Sequence, residues 1–357
     1  MPSLTLPDIA PLLTWYPTAA RDLPWRKTKD PYRIWVSEIM LQQTRVEAVI
    51  PYYFNFLDYL PDVAALAAAP EELLLKLWEG LGYYSRVRNM KKAAIAVMER
   101  HGGVFPCTYP EIRALCGIGD YTAGAIASFA FDLPYPAVDG NVMRVVTRLC
   151  GYGKPITDPA VKKEITAAVA AAQPKDAPAL FNQAIMELGA TVCLPNGEPK
   201  CGECPLSPVC AAHRAGKETD FPQKAKKAPR RVEKRTVLLL RDGARVALVK
   251  RPAKGLLAGL FEPPCLAGFR SAEEIAALFA AVGLTPLRVA PLGAAKHIFT
   301  HIEWQMTGFE VILPEGAAAK LDTCAPFLPE DLFFADREEL EQRFALPSAY
   351  RAYRAFF

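Results

Sequence analysis

The stretch Leu-Cys-Gly-Ile-Gly-Asp-Tyr-Thr-Ala-Gly, residues 115–124, decides how the chain is interpreted. Gly117 and Gly119 flank one apolar residue, so the backbone can turn sharply and leave N–H groups unpaired, and a helix is predicted to start at Tyr121. Such a turn is an anion site, and a backbone site of this kind grips a phosphodiester without reading the base. The alternative is a plain turn between two helices.

A second informative stretch, Val-Asp-Gly-Asn-Val-Met-Arg, follows at residues 138–144. Asp139 precedes a predicted helix over residues 142–149, where a side chain can accept hydrogen bonds from the first helical N–H groups. Capping would fix this carboxylate in place and keep it ionised. Asp139 is therefore both a predicted N-cap and a candidate catalytic carboxylate.

Glu38 lies in a helix that is predicted to begin at Asp30-Pro31 and to include residues 32–44. Ile34, Trp35 and Leu41 stand within one turn of it. A carboxyl group on so apolar a face should have a raised pKa and hold a proton near neutral pH, which suits a general acid. The alternative is a glutamate at the helix edge with its head in solvent.

The composition is that of a soluble globular protein. A chain of 357 residues is long enough for two domains, and no uncharged apolar run reaches the roughly 18 residues that a membrane span needs. Nine cysteines without a visible secretory signal indicate a reducing compartment and metal binding rather than disulfides. We therefore expect a cytoplasmic protein, nucleoid-associated if bacterial. The net charge is +4, and the excess of basic residues is concentrated at residues 214–235.

Helical periodicity predicts an all-α domain over residues 1–214. Residues 77–89 mix glycines, aromatics and arginines, which suits either base stacking and phosphate binding or core packing. A C-x7-C-x2-C-x5-C loop over residues 193–210 closes the domain. Its thiols suit a structural [4Fe–4S] cluster, with zinc as the alternative, and they belong to Cys193, Cys201, Cys204 and Cys210.

After a basic, proline-containing linker at residues 215–233, the hydrophobic pattern changes from helical periodicity to alternation. Residues 234–357 are predicted to form an α+β domain with helices at 272–282 and 336–344 and strands near 236–240, 246–250, 286–292, 297–301 and 303–312. This domain resembles a Nudix (MutT-like) domain. Only Glu273-Glu274 remain where Nudix hydrolases carry a Glu-rich metal-binding helix, so we expect recognition rather than nucleotide hydrolysis. The segment His297-Ile-Phe-Thr-His301 leaves three interpretations open: a metal site, strand packing or a base-contacting loop.

Taken together, these motifs resemble the MutY-type adenine DNA glycosylases of the helix-hairpin-helix (endonuclease III) superfamily. The resemblance extends over nearly the whole chain and rests on Pro24-Trp25-Arg26, residues 37–44, 80–84, 115–123 and 138–142, the four cysteines, and Phe299-Thr300-His301. It implies a monomeric base-excision-repair enzyme with a [4Fe–4S] cluster. The implied partner is double-stranded DNA with adenine opposite 8-oxoguanine or guanine.

The resemblance also implies the chemistry. Glu38 would protonate adenine N7, Asp139 would stabilise the oxocarbenium sugar, and Asn141 would support Asp139. Related enzymes that also cut the backbone carry a Schiff-base lysine two residues after the second hairpin glycine. Tyr121 stands there in this chain, so we expect a monofunctional enzyme that leaves an abasic site.

The same resemblance assigns the DNA contacts. Trp25, Arg26 and Gln183 would line the adenine pocket. Gln43, Thr44 and Tyr83, assisted by Leu41, would wedge the duplex around 8-oxoguanine, and Phe299, Thr300 and His301 would contact that base. Two departures stand out, since Thr300 replaces a common serine and the first cysteine gap is seven residues rather than six.

Three other functions fit parts of the pattern. An endonuclease III-like lyase acting on oxidised pyrimidines would share the hairpin, Asp139 and the cluster, but Tyr121 and the second domain argue against it. A catalytically silent DNA-damage-binding module would not need both Glu38 and Asp139. A Nudix phosphohydrolase is the weakest of the three.

Overall fold

The computed structural model describes residues 4–223, 229–319, 321 and 325–357. The chain forms two compact units, Met1–Ala68 with Asn89–Lys227, here called the helical unit, and Ala69–Arg88 with Ala228–Phe357, here called the sheet unit. The sequence placed residues 69–88 in the helical domain, whereas the fold groups them with the C-terminal sheet. The boundary falls inside one long helix, after Arg88.

Helices account for the regular structure of residues 4–223, and no strand occurs in that described range, as predicted. The helices are α1 (Ala10–Ala19), α2 (Pro31–Met40), α3 (Val46–Tyr59), α4 (Val63–Ala68), α5 (Glu71–Leu77), α6 (Ser85–His101), α7 (Tyr109–Ala114), α8 (Asp120–Phe131), α9 (Gly140–Leu149), α10 (Pro159–Ala172), α11 (Pro178–Thr191) and α12 (Ala211–Arg214). A buried apolar core joins α1, α9, α10 and α11. Among the described helices, none has both the length and the apolar character that crossing a bilayer requires.

The predicted hairpin is formed by α7 and α8. Gly117 has φ +80°, and a Cβ there would lie 2.7 Å from Asn89 Cβ, so both the backbone and the packing require glycine. Gly119 is the N-cap of α8 with an extended backbone, and an added Cβ would meet nothing within 4 Å. Packing within the described chain therefore explains Gly117 and leaves Gly119 open to an approaching ligand.

Close packing also positions the α8–α9 connection that carries Asp139. A Cβ on Gly124 of α8 would overlap the carbonyl oxygen of Pro136. On the far side, a Cβ on Gly189 of α11 would lie 2.7 Å from Asn141 Cβ. The absence of side chains at these two glycines lets α8 approach the connection closely and lets α11 approach the first turn of α9.

The sheet unit contains a mixed sheet built from β1 (Arg231–Asp242), β2 (Arg245–Lys250), β3 (Phe261–Glu262), β4 (Cys265–Ala267), β5 (Arg288–Ile298), β6 (Ile302–Ile312) and β7 (Phe333–Ala335). The strand order is β3-β2-β1-β6-β5, with β4 beside β1 and β7 beside β2. β1 and β6 are parallel along eleven residue pairs, from Arg231↔Ile302 to Arg241↔Ile312, and the other pairs are antiparallel. Helices α13 (Ala272–Ala280) and α14 (Arg337–Gln342) begin with capping boxes at Ser271 and Asp336.

Three boundaries differ from the predictions. The α2 helix ends at Met40 instead of continuing to Thr44, because Gln43 adopts a left-handed backbone with φ 59°. β1 begins at Arg231, inside the predicted linker, of which residues 224–228 lie outside the described residues. The predicted strand at 297–301 is wrong: β5 ends at Ile298, and residues 299–301 form the turn into β6, closed by a bond from Phe299 N to Ile302 O of 2.8 Å.

The packing of Gly124 can be tested by whether Gly124→Ala raises or lowers the free energy of unfolding. Replacing a helix-interior glycine with alanine normally stabilises a helix by up to about 1 kcal/mol. We expect Gly124→Ala instead to lower the free energy of unfolding by about 2 kcal/mol, because the new methyl group would overlap the Pro136 carbonyl. Urea titration followed by circular dichroism measures the change, and a stabilised variant would contradict the described approach of α8 to residue 136.

Candidate active site

A cavity of about 600 Å³ in the helical unit is lined by both predicted carboxylates, Glu38 and Asp139. Tyr121 and Asn141, also predicted at the site, line the same cavity. So do predicted DNA-contacting residues of this unit, namely Trp25, Arg26, Leu41, Gln43, Thr44, Gly119 and Gln183. Gly117 is not among the lining residues and serves the hairpin turn behind Gly119.

Glu38 is buried, with 3% of its surface exposed, on the inner face of α2. Burial raises the pKa of Glu38 to about 7; a hydrogen bond from Tyr121 opposes that shift, and the charge of Asp139 adds to it. The predicted raised pKa is therefore confirmed, and the alternative of a solvent-exposed glutamate is wrong. At neutral pH a substantial fraction of Glu38 carries a proton.

Tyr121 has a role that the sequence did not suggest. Its hydroxyl donates to Glu38 Oε2 at 2.6 Å, and its own pKa lies well above the usual value because the ring is buried beside two carboxyl groups. The phenol therefore remains a hydrogen-bond donor over the physiological pH range. It fixes the orientation of Glu38 from the first turn of α8.

Asp139 is the N-cap of α9, as predicted. Its Oδ1 accepts from Val142 N at 2.8 Å, and its Oδ2 accepts from Asn141 Nδ2 at 2.7 Å. Burial raises the pKa of Asp139, while these hydrogen bonds and the nearby Arg144 guanidinium lower it. The net direction is upward, so the predicted ionised state of Asp139 stays a prediction.

Arg144 extends this network. Its Nη2 donates to Asn141 Oδ1 at 2.9 Å and to Gly189 O at 2.7 Å, and its Nε donates to Cys193 O at 2.8 Å. The side chain that orients Asp139 is therefore itself held by a buried arginine. The same arginine reaches the backbone of Cys193, the first cysteine of the predicted metal loop.

One wall of the cavity is an ion triad around the buried Glu187, which sequence reasoning missed. Glu187 on α11 accepts two bonds from the Arg21 guanidinium, at 2.8 and 2.9 Å, and one from Arg26 Nη2 at 2.6 Å. Burial alone would raise the pKa of Glu187, but the two arginines lower it to about 2, so the carboxylate is ionised. A usable signal was present, since Glu187 is the only charged residue of α11 and stands one turn beyond Gln183.

Gln183 is also oriented by a residue that was not predicted. Tyr16 of α1 donates its hydroxyl to Gln183 Oε1 at 2.7 Å, and the Arg26 guanidinium lies 5.6 Å from the centre of the Tyr16 ring. With Oε1 engaged in this way, the amide NH₂ of Gln183 remains to face the cavity. The sequence around Tyr16 carries no recognisable motif for this contact.

In the sheet unit, the structure brings Tyr83 and Thr300 together. Their hydroxyl oxygens are 3.3 Å apart, although 217 positions separate them in the chain. Tyr83 is 47% exposed and has a left-handed backbone with φ 48°, a strained conformation for an aromatic residue. Gln43, which is also predicted to wedge the duplex, has a left-handed backbone with φ 59°. Two of the predicted wedge residues therefore have a positive φ.

The turn that carries Thr300 is anchored on both sides. The Phe299 ring packs edge-on against Trp304 at 4.8 Å, Arg230 Nε donates to Phe299 O at 3.0 Å, and Arg231 N donates to His301 O at 3.1 Å. The His297 ring packs edge-on against the Phe299 ring, with 4.6 Å between the ring centroids. Within the described residues, neither His297 nor His301 belongs to a group of three potential metal ligands, which leaves the loop interpretation in place.

The four cysteines of the predicted metal loop line a common small cavity. Arg148 donates from Nη1 to Cys193 Sγ at 3.3 Å, and burial raises the pKa of both Cys201 and Cys204 to about 11. Four converging thiols are unfavourable as thiolates unless a cation compensates them, so the donor set fits a thiolate-bound metal centre. His213 and Glu218 lie beside Cys201 and add a second set of potential ligands.

The sequence of this chain is similar to those of known protein families. Residues 36–170 match the family described as HhH-GPD superfamily base excision DNA repair protein, and residues 236–355 match the NUDIX domain. The adenine DNA glycosylase of Mus musculus is 34% identical over 380 residues, which cover 90% of this chain and 74% of that protein. That of Buchnera aphidicola (subsp. Baizongia pistaciae) is 35% identical over 306 residues, which cover 85% of each. The chain belongs to the adenine DNA glycosylase family.

Solved structures agree with this assignment at the level of fold. The helical part is similar to a thermostable thymine-DNA glycosylase, with 29% identity and a TM-score of 0.53 over 58% of this chain and 95% of that one. A trapped endonuclease III–DNA covalent intermediate gives 24% identity and a TM-score of 0.50 over 57% and 93%. The predicted family, the two-part fold class and the enzyme class of a DNA glycosylase are thereby confirmed.

The raised pKa of Glu38 has a consequence for stability. A carboxyl group with a folded pKa of about 7 and an ordinary unfolded pKa stabilises the protein below the unfolded pKa and loses that contribution as the pH rises through 7. Glu38→Gln cannot ionise. We expect it to raise the free energy of unfolding by about 3 kcal/mol at pH 8.5 and to change it little at pH 4.5.

Urea titrations of wild type and variant at both pH values measure this difference. Glu99→Gln is the matched control, since Glu99 is an exposed glutamate on α6 and should show no pH-dependent gain. An equal gain for Glu38→Gln at pH 4.5 and pH 8.5 would show that the pKa of Glu38 is close to its ordinary value.

Proposed function

We propose that this enzyme hydrolyses the N-glycosidic bond of adenine mispaired with 8-oxoguanine, or with guanine, in double-stranded DNA. The observation that carries the proposal is the shared cavity of Glu38 and Asp139, two carboxyl groups in contrasting environments. One is buried beside a phenol and partly protonated, and the other caps a helix. The names of the relatives, adenine DNA glycosylases, support adenine as the substrate.

In the proposed reaction the adenine nucleotide leaves the base stack and enters the cavity. Protonated Glu38 donates its proton to N7, so that adenine departs as a neutral base. The sugar develops positive charge as the bond breaks, and the Asp139 carboxylate stabilises that charge before water completes the hydrolysis. Asn141 and the α9 N–H groups hold Asp139 at the required orientation.

The ion triad suits the recognition of a base without supplying a further catalytic group. Arg21 and Arg26 both pair with Glu187, so the carboxylate is fully engaged and the triad as a whole is positively charged. Trp25 supplies an apolar surface, and Gln183 presents an oriented amide. Together they form the proposed adenine pocket.

We also propose a monofunctional enzyme. Tyr121 stands where a Schiff-base lysine would be needed, and its hydroxyl is engaged with Glu38. A lyase would require an amine nucleophile at that point, and a phenol with a raised pKa does not act as one. The abasic site is therefore the proposed product.

Recognition of 8-oxoguanine is proposed for the sheet unit. Tyr83 and Thr300 present adjacent hydroxyl groups, and the turn at residues 299–301 is held rigidly by Trp304 and residues 230–231. The methyl group that distinguishes Thr300 from serine leaves its hydroxyl within reach of Tyr83. In the helical unit, Gln43 and Thr44, with Leu41, are proposed to enter the duplex, and the Gly117–Gly119 turn is proposed to hold a phosphate.

The principal test is single-turnover release of adenine. We expect release from a duplex with adenine opposite 8-oxoguanine to exceed that opposite thymine by on the order of 100-fold, since the opposite base is read by hydrogen bonds. Glu38→Gln should reduce the rate by roughly 10²- to 10⁴-fold, the usual contribution of a general acid, while Glu99→Gln should retain it.

Retained base release in Glu38→Gln would show that the chemistry is wrongly assigned. Equal rates opposite 8-oxoguanine and thymine would remove the proposed role of the sheet unit. A covalent enzyme–DNA adduct trapped by borohydride would favour the lyase alternative instead.

We propose that Cys193, Cys201, Cys204 and Cys210 hold a [4Fe–4S] cluster. When bound, such a cluster would cross-link residues 193–210 by thiolate ligation and so stabilise the loop. Arg148 supports this assignment, because its guanidinium donates to Cys193 Sγ at 3.3 Å and places a positive charge beside the proposed cluster.

Iron and acid-labile sulfide analysis tests the cluster. We expect close to four of each per wild-type chain, as in any [4Fe–4S] protein. Cys204→Ser should lose the iron, whereas Cys107→Ser, which changes an exposed thiol outside the loop, should keep it. One zinc per chain in place of iron would favour the alternative.

A further inference from the structure

Residues 69–88 carry Tyr83 but are packed with the C-terminal sheet. They lie within the range matched by the glycosylase family, yet their packing places them in the sheet unit. The segment consists of α5, the loop at residues 78–84 and the first turn of α6. The contacts that hold this segment therefore also determine the position of Tyr83.

The loop is rigid within itself. Trp78 Nε1 donates to Gly82 O at 3.1 Å, and Arg86 Nη2 donates to Leu81 O and Gly82 O at 2.9 and 3.0 Å. The Arg86 guanidinium also lies near the rings of Trp78 and Tyr83, at 5.3 and 5.8 Å. Tyr83 therefore moves with the base of the loop rather than independently of it.

Lys76, at the end of α5, fastens that base to α14. Its ammonium donates to Leu340 O at 3.1 Å, to Phe344 O at 3.2 Å and to Glu79 Oε2 at 2.7 Å, and only 17% of the side chain is exposed. The carbonyls at a helix C-terminus lack intrahelical partners and favour a cation. Lys76 supplies that cation from a distant part of the chain.

Glu79 makes the second attachment. Its side chain is 8% exposed, and Oε1 pairs with Arg354 Nη2 at 2.8 Å. Arg354 lies in the C-terminal 3₁₀ segment, Ser348–Phe356. Lys76 and Glu79 thus form a connected pair, with one end on α14 and the other on the final residues of the chain.

Another ion pair joins residues 69–88 to strand β2, and its surroundings differ. Lys250 Nζ is 3.6 Å from Glu72 Oε1, and both side chains are about half exposed, at 50% and 53%. Exposed pairs of this kind contribute little, whereas loss of one partner from a shielded, hydrogen-bonded pair is costly. Lys250 therefore provides a matched control for Lys76.

We propose that Lys76 and Glu79 are positioning residues that fasten residues 69–88 to α14 and the C-terminal segment, and so set the Tyr83 hydroxyl against Thr300. The consequence for catalysis rests on the proposed recognition of 8-oxoguanine by Tyr83 and Thr300. The attachment of residues 69–88 to α14 and the C-terminal segment does not depend on that proposed recognition. Lys76 and Glu79 act through Tyr83 and touch no substrate.

The attachment is tested by hydrogen–deuterium exchange of the full-length enzyme without DNA. In Lys76→Met, we expect amides of residues 78–84 to exchange about tenfold faster than in wild type, since a 1.4 kcal/mol loss changes an opening equilibrium tenfold. Lys250→Met should exchange like wild type, and Lys76→Arg, which keeps the charge and donors, should recover most of the protection. Unchanged exchange in Lys76→Met would overturn the inference whatever the substrate of the enzyme.

The consequence is tested by a double-mutant cycle on the ratio of single-turnover rates for adenine opposite 8-oxoguanine and opposite guanine. We expect Lys76→Met to lower this ratio about fivefold in the wild-type background and to leave it unchanged in a Tyr83→Ala background, because the two residues act as one unit. An equal loss in both backgrounds would overturn a route through Tyr83. A wild-type ratio near one, with faster exchange in Lys76→Met, would instead refute the proposed 8-oxoguanine recognition and leave the attachment supported.

Discussion

The structure places two carboxyl groups of the same chemical type in different surroundings within one cavity. Burial raises the pKa of both Glu38 and Asp139. The difference comes from their partners. Glu38 receives one phenolic hydrogen bond, whereas Asp139 receives a helix N-terminal amide and a side-chain amide, with Arg144 behind them. The backbone position of each residue thus decides which groups hydrogen-bond to its carboxyl group.

That placement requires unusually close packing of helices. Gly124 lets α8 reach the backbone of residue 136, and Gly189 lets α11 reach Asn141. Side chains at either position would push the α8–α9 connection away from the cavity, and Asp139 would move with it. The hairpin and the carboxylate motif are therefore parts of one packed unit, because α8 begins at the hairpin turn and ends where the connection to Asp139 starts.

Local rules predicted the features that depend on neighbours in sequence. Asp30 and Asp139 cap their helices, Glu38 lies on a buried face, and Gly117 takes a positive φ, each of which follows from a few adjacent residues. Partners distant in sequence were missed. Glu187 binds Arg21 across 166 positions, and Tyr16 binds Gln183 across 167, and no local periodicity encodes such pairs. The strand predicted at 297–301 failed because apolar alternation does not reveal a tight turn between two strands.

The hydrogen bonds of two carboxylates in the sheet unit are relevant to the expectation that this unit recognises a base and does not hydrolyse nucleotides. Glu262 is held by Arg251 and by the Tyr350 hydroxyl, and Glu274 closes the capping box of α13 by accepting from Ser271 N. A carboxylate engaged in this way is a poor ligand for a divalent cation, since each metal bond would have to replace an existing strong hydrogen bond. The exposed hydroxyl groups of Tyr83 and Thr300 can donate and accept hydrogen bonds, which suits reading the edge of a base. On this reasoning, Glu262 and Glu274 serve to stabilise the fold of the sheet unit.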